Sequence, residues 1–103
     1  MTGVPLGLLG LGMRAGGIVV GTGGIRAALQ RGQLALVVVA SDHSSRTEDK
    51  VLSLARARGV PCVIGPGADD LGRSVGRGSV QAVGVRDADL AAGIQDQTAK
   101  DGL

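Results

Sequence analysis

The sequence contains no phenylalanine, tyrosine or tryptophan and only one cysteine among its 103 residues. A core without aromatic rings has to be built from Val, Leu, Ile and Ala, and a surface that stacks nucleic-acid bases on rings is excluded. The single cysteine, Cys62, excludes an internal disulfide and a cysteine-based metal site. Because it lies in an apolar run at residues 60–64, we expect a reduced, buried thiol that packs as a small hydrophobe.

Long hydrophobic runs are also missing. Arg14 and Arg26 interrupt the apolar first third of the chain, so no stretch of about 18 apolar residues is available for a membrane-spanning helix. The first five residues carry no positive charge of the kind that opens a signal peptide. We therefore expect a cytoplasmic protein with no membrane partner.

Acidic residues are absent from residues 1–41, although the whole chain has a formal net charge of +2. The cations are mostly arginine, the side chain best suited to bidentate phosphate contacts. This charge distribution is compatible with a nucleic-acid partner, and equally with an ordinary solvated surface. The hydrophobic content of 44% and charged content of 19% are typical of a globular domain.

Helical and strand periodicities alternate along the chain. Residues 34–40 form a continuous apolar, β-branched run, which is typical of a central strand buried on both faces. The predicted helices are residues 4–15, 25–31, 46–58, 68–75 and 87–95, and the predicted strands are residues 18–20, 34–40, 60–64 and 80–85. This order predicts an α/β fold, a three-layer α/β/α sandwich with a mixed central sheet of about four strands. We expect one domain over residues 1–95 and a frayed tail over residues 96–103.

Motifs for enzyme chemistry are incomplete. His43 lies between Asp42 and Ser44, but no second histidine or cysteine could complete a catalytic group with them, and we expect an exposed loop histidine. The segment Gly21-Thr22-Gly23-Gly24 follows a strand and opens a helix. Arg26, however, occupies the position of the third glycine in a dinucleotide fingerprint, and no Gly-Lys pair is present for a phosphate-binding loop. We therefore predict a protein that is not an enzyme, with no catalytic residue, no cofactor and no metal.

Two segments could contact RNA without aromatic rings. Residues 21–26 combine outward-facing amides at a helix start with an absence of obstructing side chains, and Arg26 follows one turn later. A second candidate contains Arg73 and Arg77, four residues apart with glycines around them. Alternatively, each segment is only a turn and a solvated helix end that does not contact RNA.

Four segments of the sequence, in this order, resemble the L-seven-Ae/L-thirty-e ribosomal protein family, and most closely its small bacterial YlxQ-like members. The segments are residues 8–17 (LLGLGMRAGG), 28–42 (ALQRGQLALVVVASD), 60–64 (VPCVI) and 71–76 (LGRSVG). The resemblance covers residues 6–95 and implies a three-layer α/β/α sandwich. It also implies binding of structured RNA of the kink-turn type, in ribosomes or other ribonucleoproteins, so ribosomal RNA is one candidate partner.

The family's RNA-reading motif, Asn-Glu-x-x-Lys at the start of the second helix, is not present here. Its three polar positions fall on Gly23, Gly24 and Ala27, which keeps the helix-start amides but removes the reading side chains. The predicted RNA-binding residues are Gly21, Thr22, Gly23, Gly24, Arg26, Ser41, Asp42, Gly65, Arg73 and Arg77. The alternative is a non-enzymatic scaffold that has lost RNA binding and contacts a protein partner or a second copy of itself.

Overall fold

The computed structural model describes residues 6–101, and the surroundings of side chains from residue 7 to residue 96. Helices and strands alternate along this part of the chain. In order they are α1 (Leu6–Arg14), β1 (Ile18–Val20), α2 (Thr22–Gln30), β2 (Leu36–Val39), α3, β3 (Cys62–Ile64), α4 (Ala68–Ser74), β4 (Ala82–Val85) and α5 (Ala88–Asp101). Helix α3 consists of three contiguous segments: an α-helical turn (Ser45–Thr47), a π-helical turn (Glu48–Leu52) and an α-helical end (Ser53–Ala57).

The four strands form one sheet in the order β1-β4-β2-β3. Strand β4 is antiparallel to both of its neighbours, whereas β2 and β3 are parallel. The predicted mixed four-stranded sheet is therefore confirmed. With this topology β1, β2 and β3 all finish at the same end of the sheet, where β4 begins. We call it the carboxyl end of the sheet, and the opposite one the amino end.

Strand β2 occupies the interior of the sheet, and its four side chains are at most 1% exposed. Successive side chains of a strand point to opposite faces, so Leu36 and Val38 pack on one face and Val37 and Val39 on the other. The first face is covered by α1, α4 and α5, and the second by α2 and α3. The predicted three-layer sandwich and the buried central strand are both confirmed.

The two hydrophobic layers are made entirely of aliphatic side chains. Leu9, Leu71 and Ile94 are fully buried in the layer on the first face, and Ile25, Leu29, Val51 and Ala55 are buried in the layer on the second.

Helix boundaries differ from the predicted ones at several points. Helix α2 begins at Thr22, three residues before the predicted start, because burial of Ile25 outweighs the low helix propensity of the preceding glycines. The last helix continues to Asp101, beyond the predicted end at Gln95. The predicted first helix begins at Val4, and its first two positions lie outside the described residues.

The π-helical turn in α3 is not predicted by the sequence. The helix begins one residue after Ser44, whose hydroxyl accepts a hydrogen bond from the Thr47 amide at 3.2 Å. Ser45 and Glu48 have the sequence spacing of a capping box, but the N-cap residue is Ser44, and Glu48 makes different contacts, described below.

Candidate functional site

Four loops meet at the carboxyl end of the sheet. The Gly21 amide donates to the Ala82 carbonyl at 3.4 Å, which joins the start of α2 to the start of β4. The loop after β2 is joined to the loop after β3, because the Ser41 amide donates to the Pro66 carbonyl at 2.9 Å. The structure thus brings the predicted residues Gly21, Ser41 and Gly65 to one end of the sheet.

The start of α2 presents free backbone amides. Gly21 has φ 93° and ψ 149°, a conformation that favours glycine, and no side chain caps the helix. The amides of Thr22, Gly23 and Gly24 have no hydrogen-bond acceptor among the described residues. A Cβ at Gly23 would meet no atom within 4 Å, so the space in front of it is open. Unpaired amides at the positive end of a helix dipole form a surface that attracts anions.

Arg26 lies one turn further along α2 and is half-buried. Its Nη1 donates to the Lys50 carbonyl at 2.7 Å, within the π-helical turn of α3. The bond connects the two helices of this layer and occupies one of the five N–H donors of the guanidinium.

Asp42 has a structural role at this end of the sheet. Its Oδ1 accepts a hydrogen bond from the Ala68 amide at 2.8 Å, so it caps the start of α4 across 26 residues of sequence. Gly65, which precedes that helix, is buried, and its amide donates to the Val39 carbonyl at 2.8 Å. Both residues hold the two loops together, and Ser41 beside them is exposed.

Arg73 and Arg77 form a separate group on α4 and the loop that follows it. Both are exposed, and Arg73 is paired with Asp70 at 3.1 Å. The two arginines line a shallow depression of about 220 Å³ together with Asp69, Gly78 and Ser79. None of the described hydrogen bonds connects either arginine to the start of α2.

The most connected polar cluster at the carboxyl end is one that the sequence did not reveal. The His43 side chain is only 16% exposed, so the predicted exposed loop histidine is wrong. Its Nδ1 lies 2.7 Å from the Ala40 carbonyl and its Nε2 lies 3.1 Å from Glu48 Oε1. The other Glu48 oxygen is 2.9 Å from Arg56 Nη2. No motif spacing signals this cluster, which joins the loop after β2 to the first residue of the π-helical turn.

These contacts shift both pKa values. The hydrogen bond to Glu48 is the largest cause that raises the pKa of His43 above its usual 6.5, followed by the bond to Ala40. The bond to His43 is in turn the largest cause that lowers the pKa of Glu48. With both ring nitrogens facing oxygen acceptors, only the imidazolium can donate to both. This histidine is engaged in structure and has no nucleophile in contact with it among the described residues.

Cys62 is half-buried beside the second hydrophobic layer, and burial raises the pKa of its thiol. That shift disfavours the reactive thiolate. Within residues 6–101, no three ligand-type side chains come together as a candidate metal site. None of the helices in the same range is long and apolar enough to cross a membrane.

Comparison with known proteins agrees with this fold. Residues 6–93 match the model of the ribosomal protein L7Ae/L30e/S12e/Gadd45 family. A solved structure of a protein of unknown function from Bacillus halodurans is similar, with 30% identity and a TM-score of 0.86 over 91% of this chain and 95% of that chain. No curated protein matches the sequence significantly.

A second similar structure is a 15.5 kDa RNA-binding protein from Giardia lamblia. It is 22% identical, with a TM-score of 0.73 over 92% of this chain and 82% of that chain, and this likeness concerns the fold. The family match covers most of the chain. The protein therefore belongs to the ribosomal protein L7Ae/L30e/S12e/Gadd45 family.

Proposed function

We propose that this protein binds structured RNA at the carboxyl end of the sheet, without catalysing a reaction, as part of a cytoplasmic ribonucleoprotein such as the ribosome. Membership of a ribosomal protein family supports this role, as does the fold shared with an RNA-binding protein from Giardia lamblia. The residues proposed to meet the RNA are Gly21, Thr22, Gly23, Gly24 and Arg26, with Ser41, Asp42 and Gly65 in the neighbouring loops and Arg73 and Arg77 extending the surface.

The observation that carries the proposal is the open start of α2. Three consecutive amides, of Thr22, Gly23 and Gly24, point from a helix N-terminus with no internal acceptor and no side chain in front of Gly23. A phosphate or a base-edge acceptor can approach such a backbone closely, because glycine has no Cβ to keep it away.

Selectivity for kink-turn RNA is expected to be low. The polar side chains of the family motif are replaced by Gly23, Gly24 and Ala27, so direct reading of bases is reduced. Binding through amides and arginines should therefore depend mainly on electrostatics and should fall steeply with salt.

A matched pair of variants at one position tests the site. Gly23→Asp and Gly23→Asn introduce side chains of the same shape into open space. They differ in charge, and the asparagine also restores the first residue of the family motif, so the comparison on the plain hairpin isolates the effect of charge. Both are compatible with the first turn of a helix, where aspartate is favoured. Filter binding of a kink-turn RNA and a plain hairpin at two salt concentrations should show about fivefold weaker binding by the aspartate variant than by the asparagine variant.

The outcomes separate the candidate functions. Equal affinities of the two variants would remove the start of α2 from the RNA interface. A second candidate function, a protein-interaction domain or homodimer, is favoured by the loss of all three polar side chains of the motif. If the wild-type protein bound neither the kink-turn RNA nor the plain hairpin at low salt, this second candidate would replace RNA binding as the proposed function.

A further inference from the structure

Arginines are concentrated at the amino end of the sheet, opposite the proposed RNA site. One arginine lies at the end of each of α1, α2, α3 and β4, where the chain turns at this end of the sheet. We call them the amino-end arginines: Arg14, Arg31, Arg58 and Arg86. All four are exposed.

The sheet topology places these four arginines together. Helices α1, α2 and α3 each run back to the amino end before the strand that follows, whereas β4 ends there because it is antiparallel to β1 and β2. Two hydrogen bonds connect the segments. The Arg86 amide donates to the Gly17 carbonyl at 2.9 Å, and Arg58 Nη1 donates to the Gln30 carbonyl, next to Arg31, at 3.2 Å.

The positive charge here is not neutralised by ion pairs. None of the amino-end arginines forms a salt bridge within the described residues. The acids nearby are Asp87 and Asp89, which the four arginines outnumber; Asp87 Oδ1 accepts hydrogen bonds from the amides of Asp89 and Leu90 at 2.8 and 3.1 Å. The loops that precede β1, β2 and β3 contain no acid at all.

Helix dipoles account for part of this distribution. A cation near the carbonyl end of a helix is favourable, and Arg14, Arg31 and Arg58 have that position. Arg86 follows a strand and precedes a helix start, where a dipole favours an acid instead. The preference of helix C-termini for cations therefore does not explain all four arginines at this end.

The chemistry of this surface fits a phosphate backbone. A protein partner is usually held by buried aliphatic or aromatic anchors, and the exposed large hydrophobic residues of the described chain, Leu11 and Ile64, are not in these loops. Contact with phosphates requires only cations, and arginine suits them best. We infer that the amino end of the sheet is a second RNA-contacting surface, which engages the backbone of an RNA segment distinct from the one proposed at the carboxyl end.

The two surfaces act independently of each other. The four residues of β2 alone separate the two ends by about 13 Å, which exceeds the Debye length of about 8 Å at physiological salt. The inference does not depend on the proposed function of the carboxyl end, and the test has to separate the two.

A triple substitution with a charge-preserving control tests the inference. Arg14→Gln/Arg31→Gln/Arg86→Gln removes three exposed charges and leaves Arg58, which holds the Gln30 carbonyl. Arg14→Lys/Arg31→Lys/Arg86→Lys keeps the charges. The probe is a blunt RNA duplex without bulges, and its affinity is measured by fluorescence anisotropy over a series of salt concentrations.

We expect the glutamine variant to lower the slope of log K against log salt by about two to three units, at roughly 0.9 per lost phosphate contact. The lysine variant should keep the wild-type slope to within about half a unit. An unchanged slope in the glutamine variant, or no duplex binding by the wild type at low salt, would overturn the inference. If instead the glutamine variant loses slope while Gly23→Asp and Gly23→Asn bind equally, the amino end binds RNA and the function proposed for the carboxyl end is refuted.

Discussion

At the carboxyl end of the sheet, Asp42, Glu48 and Arg26 are each bonded to another part of the chain. At the amino end, the side chains of Arg14, Arg31 and Arg86 form no hydrogen bond or ion pair within the described part of the chain. The first end therefore uses its charged side chains to hold loops in place and exposes backbone amides. The second end holds its loops by backbone hydrogen bonds and one side-chain bond from Arg58, and it exposes charge. Fixed amides favour a ligand of defined shape, whereas exposed arginines favour any phosphate backbone.

The largest expected effect of a substitution is at Gly72, in the helix that leads away from the carboxyl end. A Cβ at Gly72 would overlap the Gly78 carbonyl oxygen, and backbone cannot move aside as a flexible side chain can. We expect Gly72→Ala to lower the free energy of unfolding by about 3 kcal/mol or more, measured by urea denaturation.

Gly23→Ala is the matched control for that substitution, because its Cβ meets no atom within 4 Å. It should be neutral or stabilise the protein by up to about 1 kcal/mol, since alanine has the higher helix propensity. Equal stability of the two alanine variants would show that the loop after α4 is not held by this close backbone contact.

The next effect concerns the cap that joins two loops at the carboxyl end. Asp42→Ala leaves the Ala68 amide without its acceptor, and we expect a loss of about 1 kcal/mol in the free energy of unfolding. Asp42→Asn keeps an acceptor and should cost little. Because it also removes a negative charge next to the proposed RNA site, it should not weaken RNA binding. A large loss of affinity in Asp42→Asn at unchanged stability would instead assign the carboxylate a direct contact.

The features that the sequence predicted well are those set by neighbouring residues. The apolar run 34–40 contains no polar residue. Because both faces of such a strand are apolar, burial on both faces is its only stable placement. The end of α2 is similarly local, since Gly32 has a φ of +69° that ends a helix. Both features need no knowledge of the rest of the fold.

The features that the sequence missed depend on contacts between distant segments. The bond between Asp42 and the Ala68 amide, 26 residues away, was not predicted, because only the parallel pairing of β2 and β3 brings the two residues near each other. His43 appeared as an exposed loop residue because no sequence signature indicates that Glu48, in the π-helical turn, lies against it. The position of the amino-end arginines also follows from strand order, which the alternation of elements alone did not determine.

The smallest expected effect is a pH dependence that originates in the His43 cluster. His43 faces Glu48, the Ala40 carbonyl and the charge of Asp42, while Arg56 binds the far oxygen of Glu48. The raised pKa of His43 gives a stabilisation that is complete below its unfolded value of 6.5 and is lost as the pH rises through the folded pKa. The lowered pKa of Glu48 gives a stabilisation that is present above its unfolded value of 4.5 and is lost as the pH falls through the folded pKa. The His43–Glu48 pair therefore stabilises the folded protein most at pH values between 4.5 and 6.5.

Replacement of the histidine by a residue that cannot be charged should remove this dependence. We expect His43→Asn to melt at a lower temperature than the wild type at about pH 5.5 and to come closer to it at about pH 8.5, because the wild-type imidazole loses its proton as the pH rises through its folded pKa. Differential scanning fluorimetry at both pH values measures the difference. Asp49→Asn, which removes an exposed acid from the same turn as Glu48, is the control and should leave the gap between the two pH values unchanged. A constant gap between wild type and His43→Asn would mean that the imidazole contributes by packing alone, and that charge at the carboxyl end does not stabilise its loops through this pair.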